Sequence, residues 1–374
     1  MLLRPTPVTA PFIPVAFPLA AYLRLRDEVE AALRRVMDSG NYIHGPEVRA
    51  FEAEFAAAFD LGHAVGVASG TEALWLALRA FAIGRDHEVI VPTLTASATV
   101  AAVVEAQAAP VFVDSAPDDL NLEVDQLAGL LTPRTRAIVA VHLYGSPANL
   151  TRLVEFCRGH DLILVEDCAQ AHGARHAGRW VGGWGDIAAW SFYPTKNLGA
   201  FGDGGMVTTR DPAMAARVRL LREYGWRERY HSAEHGWNSR LDELQAALLR
   251  VRLAHLAADN ERRRAIATAY RAALPPQVLG PAPRPSDEGV EHLFVIRHPR
   301  RDDIRAALEA EGIGTGIHYP VPCHLQAAYQ AFGRGPGSLP VAECSAAEIL
   351  SLPMYPELSD DDVQRVITAV RRHT

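Results

Sequence analysis

Leu162-Ile-Leu-Val-Glu166-Asp167 reads as an apolar strand that delivers a carboxylate at its C-terminal end. The same design recurs upstream. Short apolar runs at 63–68, 88–91, 110–114, 136–143 and 162–166 alternate with helical patterns at 71–81, 97–107, 123–131 and 150–160. Such alternation predicts α/β architecture, a mainly parallel sheet covered by helices. Two further short strands are expected at 187–192 and 206–209. Ahead of the first strand, 22–37 is amphipathic, with Leu25, Val29, Leu33 and Val36 on one face and Ser39-Gly40 as its stop. A second helix carries Phe51, Phe55 and Phe59.

Downstream the order changes. Ser239-Arg-Leu-Asp242 has the pattern of a capping box. Behind it Leu241, Leu244, Leu248, Val251 and His255 recur at helical spacing towards Tyr270. The Pro-rich stretch 275–285 breaks the chain. A strand at 292–297, a helix at 302–311, a strand at 314–319 and a last helix at 360–372 then give α+β order. The expected division is a large α/β domain over 1–250 and a small C-terminal α+β domain over 251–374.

Composition narrows the function. The chain has 374 residues, 49% hydrophobic and 22% charged, as in an ordinary globular protein. The net charge of −7 carries no basic stripe, which argues against a nucleic-acid partner. Cys157, Cys168, Cys323 and Cys344 show no paired spacing, so a reduced cytoplasmic protein is expected, without disulfides or a metal site. Pro5, Pro7, Pro11, Pro14 and Pro18 interrupt the apolar start, which argues against a signal peptide. No run of roughly 18 apolar residues predicts a membrane span.

Ligands bind at the carboxyl edge of open α/β sheets, which is where Asp167 falls. Gln170 follows three residues later and His172 five later. Twenty-nine residues after Asp167 comes Lys196, in Ser191-Phe-Tyr-Pro-Thr-Lys-Asn. It follows an apolar strand and precedes the Gly-rich stretch 199–205. A desolvated lysine loses its charge more easily and becomes a nucleophile. Pyridoxal phosphate needs such an amine for its Schiff base, and an anion against its ring nitrogen to keep the ring an electron sink. Lys196 and Asp167 meet those two requirements. Ser69-Gly70-Thr71-Glu72 is a turn into a helix, whose N–H groups suit a phosphate. Thr71 and Ser191 could add hydroxyls. Each piece also has a purely structural reading: Asp167 as a turn residue, Ser69-Gly70-Thr71 as a cap, 199–205 as a tight turn, His172 as a core histidine. Their combination and order carry the signal.

The chain resembles the DegT/DnrJ/EryC1/StrS family of sugar-type pyridoxal phosphate aminotransferases, from about Ile13 to the last helix. The likeness rests on Gly45-Pro-Glu-Val, Ser69-Gly-Thr-Glu-Ala-Leu, Val111-Phe-Val-Asp, Val141-His-Leu-Tyr-Gly and Glu166-Asp-Cys-Ala-Gln-Ala-His-Gly-Ala. It rests equally on Ser191-Phe-Tyr-Pro-Thr-Lys-Asn-Leu-Gly, Gly202-Asp-Gly-Gly, Asn238-Ser-Arg-Leu-Asp-Glu-Leu-Gln-Ala-Ala and Ile317-His-Tyr-Pro. The resemblance implies a type I, aspartate-aminotransferase-like fold with a mainly parallel seven-stranded sheet. It implies a homodimer with shared active sites, Lys196 as the Schiff-base lysine and Asp167 at the ring nitrogen. Gln170 would lie by the ring, Gly70, Thr71 and Ser191 would hold the phosphate, and Asn238 would reach it from the neighbouring subunit. One departure stands out. Where the family commonly has Thr-aromatic, this chain has Thr95-Ala96, so ring stacking must be weaker or come from elsewhere, for example Gln170.

The implied reaction moves an amino group from glutamate to a nucleotide-linked keto-deoxysugar. Residues 224–231, 238–241 and 314–329 resemble the branch acting on dTDP-linked 3-keto-6-deoxyhexoses, and Gln170 points the same way. Arg229 could meet the diphosphate, while Tyr193, His318 and Tyr319 could line the sugar pocket. A C-4 keto sugar, a keto-cyclitol and a non-catalytic regulator on the same fold are the alternatives. Lys196 argues against the related dehydratases, whose chemistry replaces it by histidine. No Gly-x-Gly-x-x-Gly follows the first strand, which argues against a nicotinamide enzyme.

Overall fold

The computed structural model describes residues 11–281 and 284–374. Pro5 and Pro7, on which the signal-peptide argument partly rests, lie outside the described residues, as does Pro283 of the Pro-rich break. Seven strands form one sheet: β1 (His63–Val67), β2 (Glu88–Pro92), β3 (Ala109–Val113), β4 (Thr135–Val141), β5 (Ile163–Asp167), β6 (Ile187–Ser191) and β7 (Gly205–Thr209). Their order is β1-β7-β6-β5-β4-β2-β3. β7 runs antiparallel to β1 and β6, and every other neighbouring pair is parallel. These are the seven strands expected from the apolar runs. Helices on both faces explain why β2 and β7 are buried along their whole length and the other five strands at all but one or two positions.

Register brings the functional residues to one edge. Asp167 pairs with Val141 of β4 and Ala189 of β6. Ser191 pairs with Gly205, and Gly205 pairs with Val67 at the end of β1. Residues that are far apart in sequence therefore meet where β1, β5 and β6 end.

The helix Pro46–Ala58 clamps this region from one face. Phe51 packs on Phe192 at 5.3 Å between centroids and Phe55 on Trp190 at 5.1 Å, both near edge-on. Removing one such buried ring costs about 3–5 kcal/mol. The start of that helix is held by the long helix Glu243–Ala273. The buried Glu243 carboxylate accepts the N–H groups of Glu47 and Val48, both at 2.9 Å. An anion there is favoured by the helix dipole. Gly45 is bare for the same reason: a Cβ would stand 2.5 Å from the Glu243 Oε2.

A smaller α+β part completes the chain. Phe294–Arg297 pairs antiparallel with Ile349–Leu352, beneath the helices Arg301–Ala310 and Asp360–His373. Ile13 joins the core of this part. No helix among the described residues is long and apolar enough to cross a membrane, and the four cysteines are free thiols.

Four local expectations differ from the structure. The stretch 22–37 is two helices, Pro18–Arg24 and Arg26–Ser39, because Leu25 leaves helical geometry (φ −110°, ψ 18°) to bury its side chain with Val29 and Leu248. The 123–131 helix is a 3-10 segment, Val124–Leu130, in which only Val124 and Leu127 are buried. The 314–319 strand reduces to one bridge, Gly316 to Ser351. The His318 ring folds back there, 2.7 Å from where a Cβ on Gly316 would stand. Ser239 caps no helix. The helix begins after Asp242, and the Ser239 hydroxyl accepts the Ala68 N–H at 3.2 Å, bracing the turn after β1.

Candidate active site

β5 ends on Asp167, which is buried. Its Oδ2 accepts the Thr99 hydroxyl at 2.8 Å and its Oδ1 accepts the Ala169 N–H at 3.1 Å. Thr99 is paired in turn with the Thr95 hydroxyl at 2.9 Å. Burial pushes the carboxyl up from its ordinary range. The Thr99 and Ala169 hydrogen bonds and the Lys196 charge oppose that shift. A cationic partner at this position would repay the burial, as a protonated pyridine nitrogen does.

Lys196 lies five residues beyond β6, in a turn closed by its own N–H on Tyr193 O at 2.8 Å and by the Ala200 N–H on Phe192 O at 2.7 Å. Desolvation pulls its ammonium down to about 8, against the pull of Asp167 in the other direction. About a tenth of such an amine is uncharged at pH 7, against roughly one part in three thousand for a free lysine. Lys196 is also the chain's single lysine. That count was open to a reading of the sequence and is a sharper signal than the local motif.

The turn after β1 packs tightly on β6 and β7. A Cβ on Gly70 would stand 2.5 Å from Ser191 Cβ, and one on Gly205 2.3 Å from Ser69 O. Ser69 caps the helix Gly70–Ala80 by accepting the Glu72 N–H at 3.1 Å. The first N–H groups of that helix, those of Gly70 and Thr71, have no partner within it. Together with the half-buried Thr71 and Ser191 hydroxyls they form an anion cradle beside Lys196 and Asp167. Half-buried amine, buried carboxylate and cradle are the donor set that pyridoxal phosphate requires.

A cavity of about 260 Å³ opens over Lys196, lined by Gln170, Tyr193, His292, His318 and Tyr319 among others. Gln170 is held at both ends. Its Oε1 accepts the Tyr144 N–H at 2.6 Å, and its Nε2 donates to the Tyr319 hydroxyl at 3.1 Å. Burial pushes the Tyr319 phenol up to about 12 and keeps His318 uncharged more readily than a free imidazole. The His318 Nδ1 pairs with the Ser351 hydroxyl at 2.9 Å, and its carbonyl accepts the Tyr144 hydroxyl at 2.5 Å. His172 packs near Trp190 and Phe192, and burial brings its imidazole down to about 3. Tyr193 is half in solvent.

Six predicted site residues do not line this cavity: Gly70, Thr71, Asp167 and Ser191 belong to the cradle and strand end already described, and Arg229 and Asn238 are on the surface. Arg229 is exposed and stacks over Tyr230 at 5.0 Å. Asn238 is exposed, its backbone bridged to Glu223. Conversely, Thr99 and His292 belong to the site and were not singled out from the sequence, where Thr95 stood out only for the Ala96 that follows it. Thr99 stands 68 residues before Asp167, and only the β2–β5 topology joins them. His142, Glu166 and Cys168 bring three buried metal-type donors together. Glu166 is nevertheless engaged with the N–H groups of Gly182, Trp184 and Gly185 at 2.7–2.8 Å, which fixes that turn.

Fold and site define a type I pyridoxal-phosphate-dependent aminotransferase acting on sugars. The chain belongs to the DegT/DnrJ/EryC1/StrS aminotransferase family, whose model matches residues 24–371. It is 50% identical over 363 residues to a dTDP-3-amino-3,4,6-trideoxy-α-D-glucose transaminase of Streptomyces venezuelae, covering 96% of each chain. It is 42% identical to a dTDP-3-amino-3,6-dideoxy-α-D-galactopyranose transaminase of Aneurinibacillus thermoaerophilus, covering 94% of this chain and 96% of the other. The crystal structure of S. venezuelae DesV in complex with a ketimine intermediate superposes with a TM-score of 0.95 at 50% identity, covering 97% of this chain and 98% of that one.

Proposed function

We propose that this enzyme transfers the amino group of glutamate to a dTDP-linked 3-keto-6-deoxyhexose. The observation that carries the reading is the meeting, at one sheet edge, of Asp167 and the Gly70–Ser191 cradle with Lys196, which opens on the cavity. Relatives named for dTDP-3-amino sugars support this acceptor over a C-4 keto sugar or a keto-cyclitol.

Bound pyridoxal phosphate supplies an electron sink for the carbon that loses or gains a proton. The chain's residues do the rest. Asp167 would face the ring nitrogen and keep it cationic. Gly70, Thr71 and Ser191 would hold the phosphate, and Gln170 would lie by the ring. The Lys196 Nζ would be the nucleophile toward the cofactor's carbonyl carbon and the base that moves the substrate proton. A value near 8 suits both tasks. Tyr193, His318 and Tyr319 bound the sugar.

The working unit in this reading is a homodimer in the cytoplasm, with Asn238 of the partner subunit on the phosphate and Arg229 on the diphosphate. The outward display of Asn238 beside Trp237, Tyr42, Ile43 and Leu244, 38–52% exposed, supports a covered face here. The chain divides near 250/251, within the long helix. The test is a half-reaction. The pyridoxamine-loaded enzyme is mixed with nucleotide keto sugars, and the return of the visible cofactor absorbance is followed. Return with dTDP-3-keto-6-deoxyhexoses is expected, and its failure with all of them would sink the acceptor assignment.

A further inference from the structure

The cavity over Lys196 adjoins a narrow recess of about 20 Å³ that shares Ala16, Thr195 and Lys196 with it. Two arginines of the long helix, Arg252 and Arg263, line that recess. Arg263 is buried, with 6% of its surface exposed. All of its hydrogen bonds run through Nη1, to the carbonyls of Met354 at 3.0 Å and of Glu291 and His292 at 3.4 Å. Its buried Nε has no partner. The Nε–Nη2 edge, the side of a guanidinium that presents two parallel N–H groups to a carboxylate, is therefore open. Arg252 is half-buried and uses one N–H, on Gly199 O at 2.6 Å.

Neither arginine has a carboxylate within salt-bridge reach among the described residues. Asp259 and Glu357, whose charges reach both arginines, are bonded to Arg24 at 2.8 and 3.0 Å, and Glu357 shares the lining of the recess. The neighbouring imidazole of His292 offers no counter-charge. A buried cation left unpaired is costly, and a site that needs an anion explains its retention. With one lysine in the chain, already assigned to the cofactor, arginine is the residue left to bind a substrate carboxylate at this depth.

We propose that Arg263, through its free Nε–Nη2 edge, and Arg252 together hold a carboxylate of the amino donor beside Lys196. The proposal rests on the transaminase reading above and adds a donor subsite to it. The acceptor's diphosphate is the rival anion. The alternative to both is that Arg263 is only a hub tying the long helix to three carbonyls.

Single turnovers of the holoenzyme separate these. The glutamate half-reaction is followed by loss of the cofactor's visible absorbance, the keto-sugar half-reaction by its return. Arg263→Gln removes the charged fork and leaves a shorter, neutral amide in its place. The glutamate concentration giving half-maximal rate should rise at least about tenfold. The keto-sugar half-reaction and the cofactor absorbance should stay within about twofold. Binding of the unreactive dicarboxylate glutarate, measured by calorimetry, should weaken in parallel. Unchanged glutamate dependence overturns the proposal. So does a loss confined to the sugar half, and so does an equal loss in both halves with a disturbed absorbance. If Arg263→Gln does not fold, Arg252→Met is scored by the same criteria. The glutamate half needs no sugar, so a wrong acceptor leaves it readable. Absence of any cofactor absorbance in the wild type would instead overturn the transaminase reading itself.

Discussion

Asp167 and Ser191 end adjoining strands and Gly205 begins the next, whereas Arg229 and Asn238 lie on an exposed segment that does not line the cavity of their own chain. The first group forms a floor. Its side chains are positioned by register and by hydrogen bonds within one chain, such as Thr99 on Asp167 at 2.8 Å. The second group is exposed on the surface of the chain and forms the outer wall of the proposed site. The contrast teaches that Asp167, Lys196 and the cradle are brought together by one chain's own fold, while Arg229 and Asn238 would join substrate recognition only in the proposed dimer.

Breaking the floor should have the largest effect. Asp167→Asn removes the charge facing the ring nitrogen and should lower turnover about a hundredfold or more, measured as kcat with saturating donor and acceptor. A loss of less than about threefold would mean that Asp167 is only a turn residue. Thr99→Val strips a hydroxyl donor from the buried carboxylate. Unsatisfying such a group costs about 1–3 kcal/mol, so cofactor affinity, read by titrating apo protein spectroscopically, should weaken about tenfold. Unchanged affinity would show that the Thr95–Thr99–Asp167 chain is incidental.

The pH dependence of cofactor capture sharpens the same region. Burial lowers the Lys196 ammonium to about 8, and only the uncharged amine attacks a carbonyl. Capture by the apo protein should therefore climb roughly tenfold per pH unit below 8 and level off above it. A rate still climbing steeply at pH 9 to 10 would show that Lys196 titrates like a free lysine. The wall should respond least. Arg229→Ala should raise the keto-sugar KM a few-fold, about 1 kcal/mol for an exposed cation, with the glutamate half-reaction untouched. An effect as large as that of Asp167→Asn would erase the distinction between floor and wall.

Much of this was legible in the sequence, for identifiable reasons. Uninterrupted apolar runs announce buried parallel strands, so all seven strands were found. Asp167 and Lys196 stand at strand exits, where ligands bind. What escaped depends on side chains meeting across the fold. Thr99 looks like an ordinary helix residue until β2 and β5 bring it to Asp167. Ser239 matches a cap pattern, but its hydroxyl is drawn to Ala68 N. Leu25 breaks a helix because burial against Leu248 outweighs helical continuity. Lys196 as the single lysine was visible throughout and needed only counting.

That count allows a direct measurement of the central assignment. Purified holoenzyme is reduced with borohydride, digested and mapped by mass spectrometry. One pyridoxyl group should be fixed per chain, on Lys196 alone, with the visible absorbance lost in step. Label at the N-terminal amine, or no label on a protein that retains its absorbance, would contradict the account.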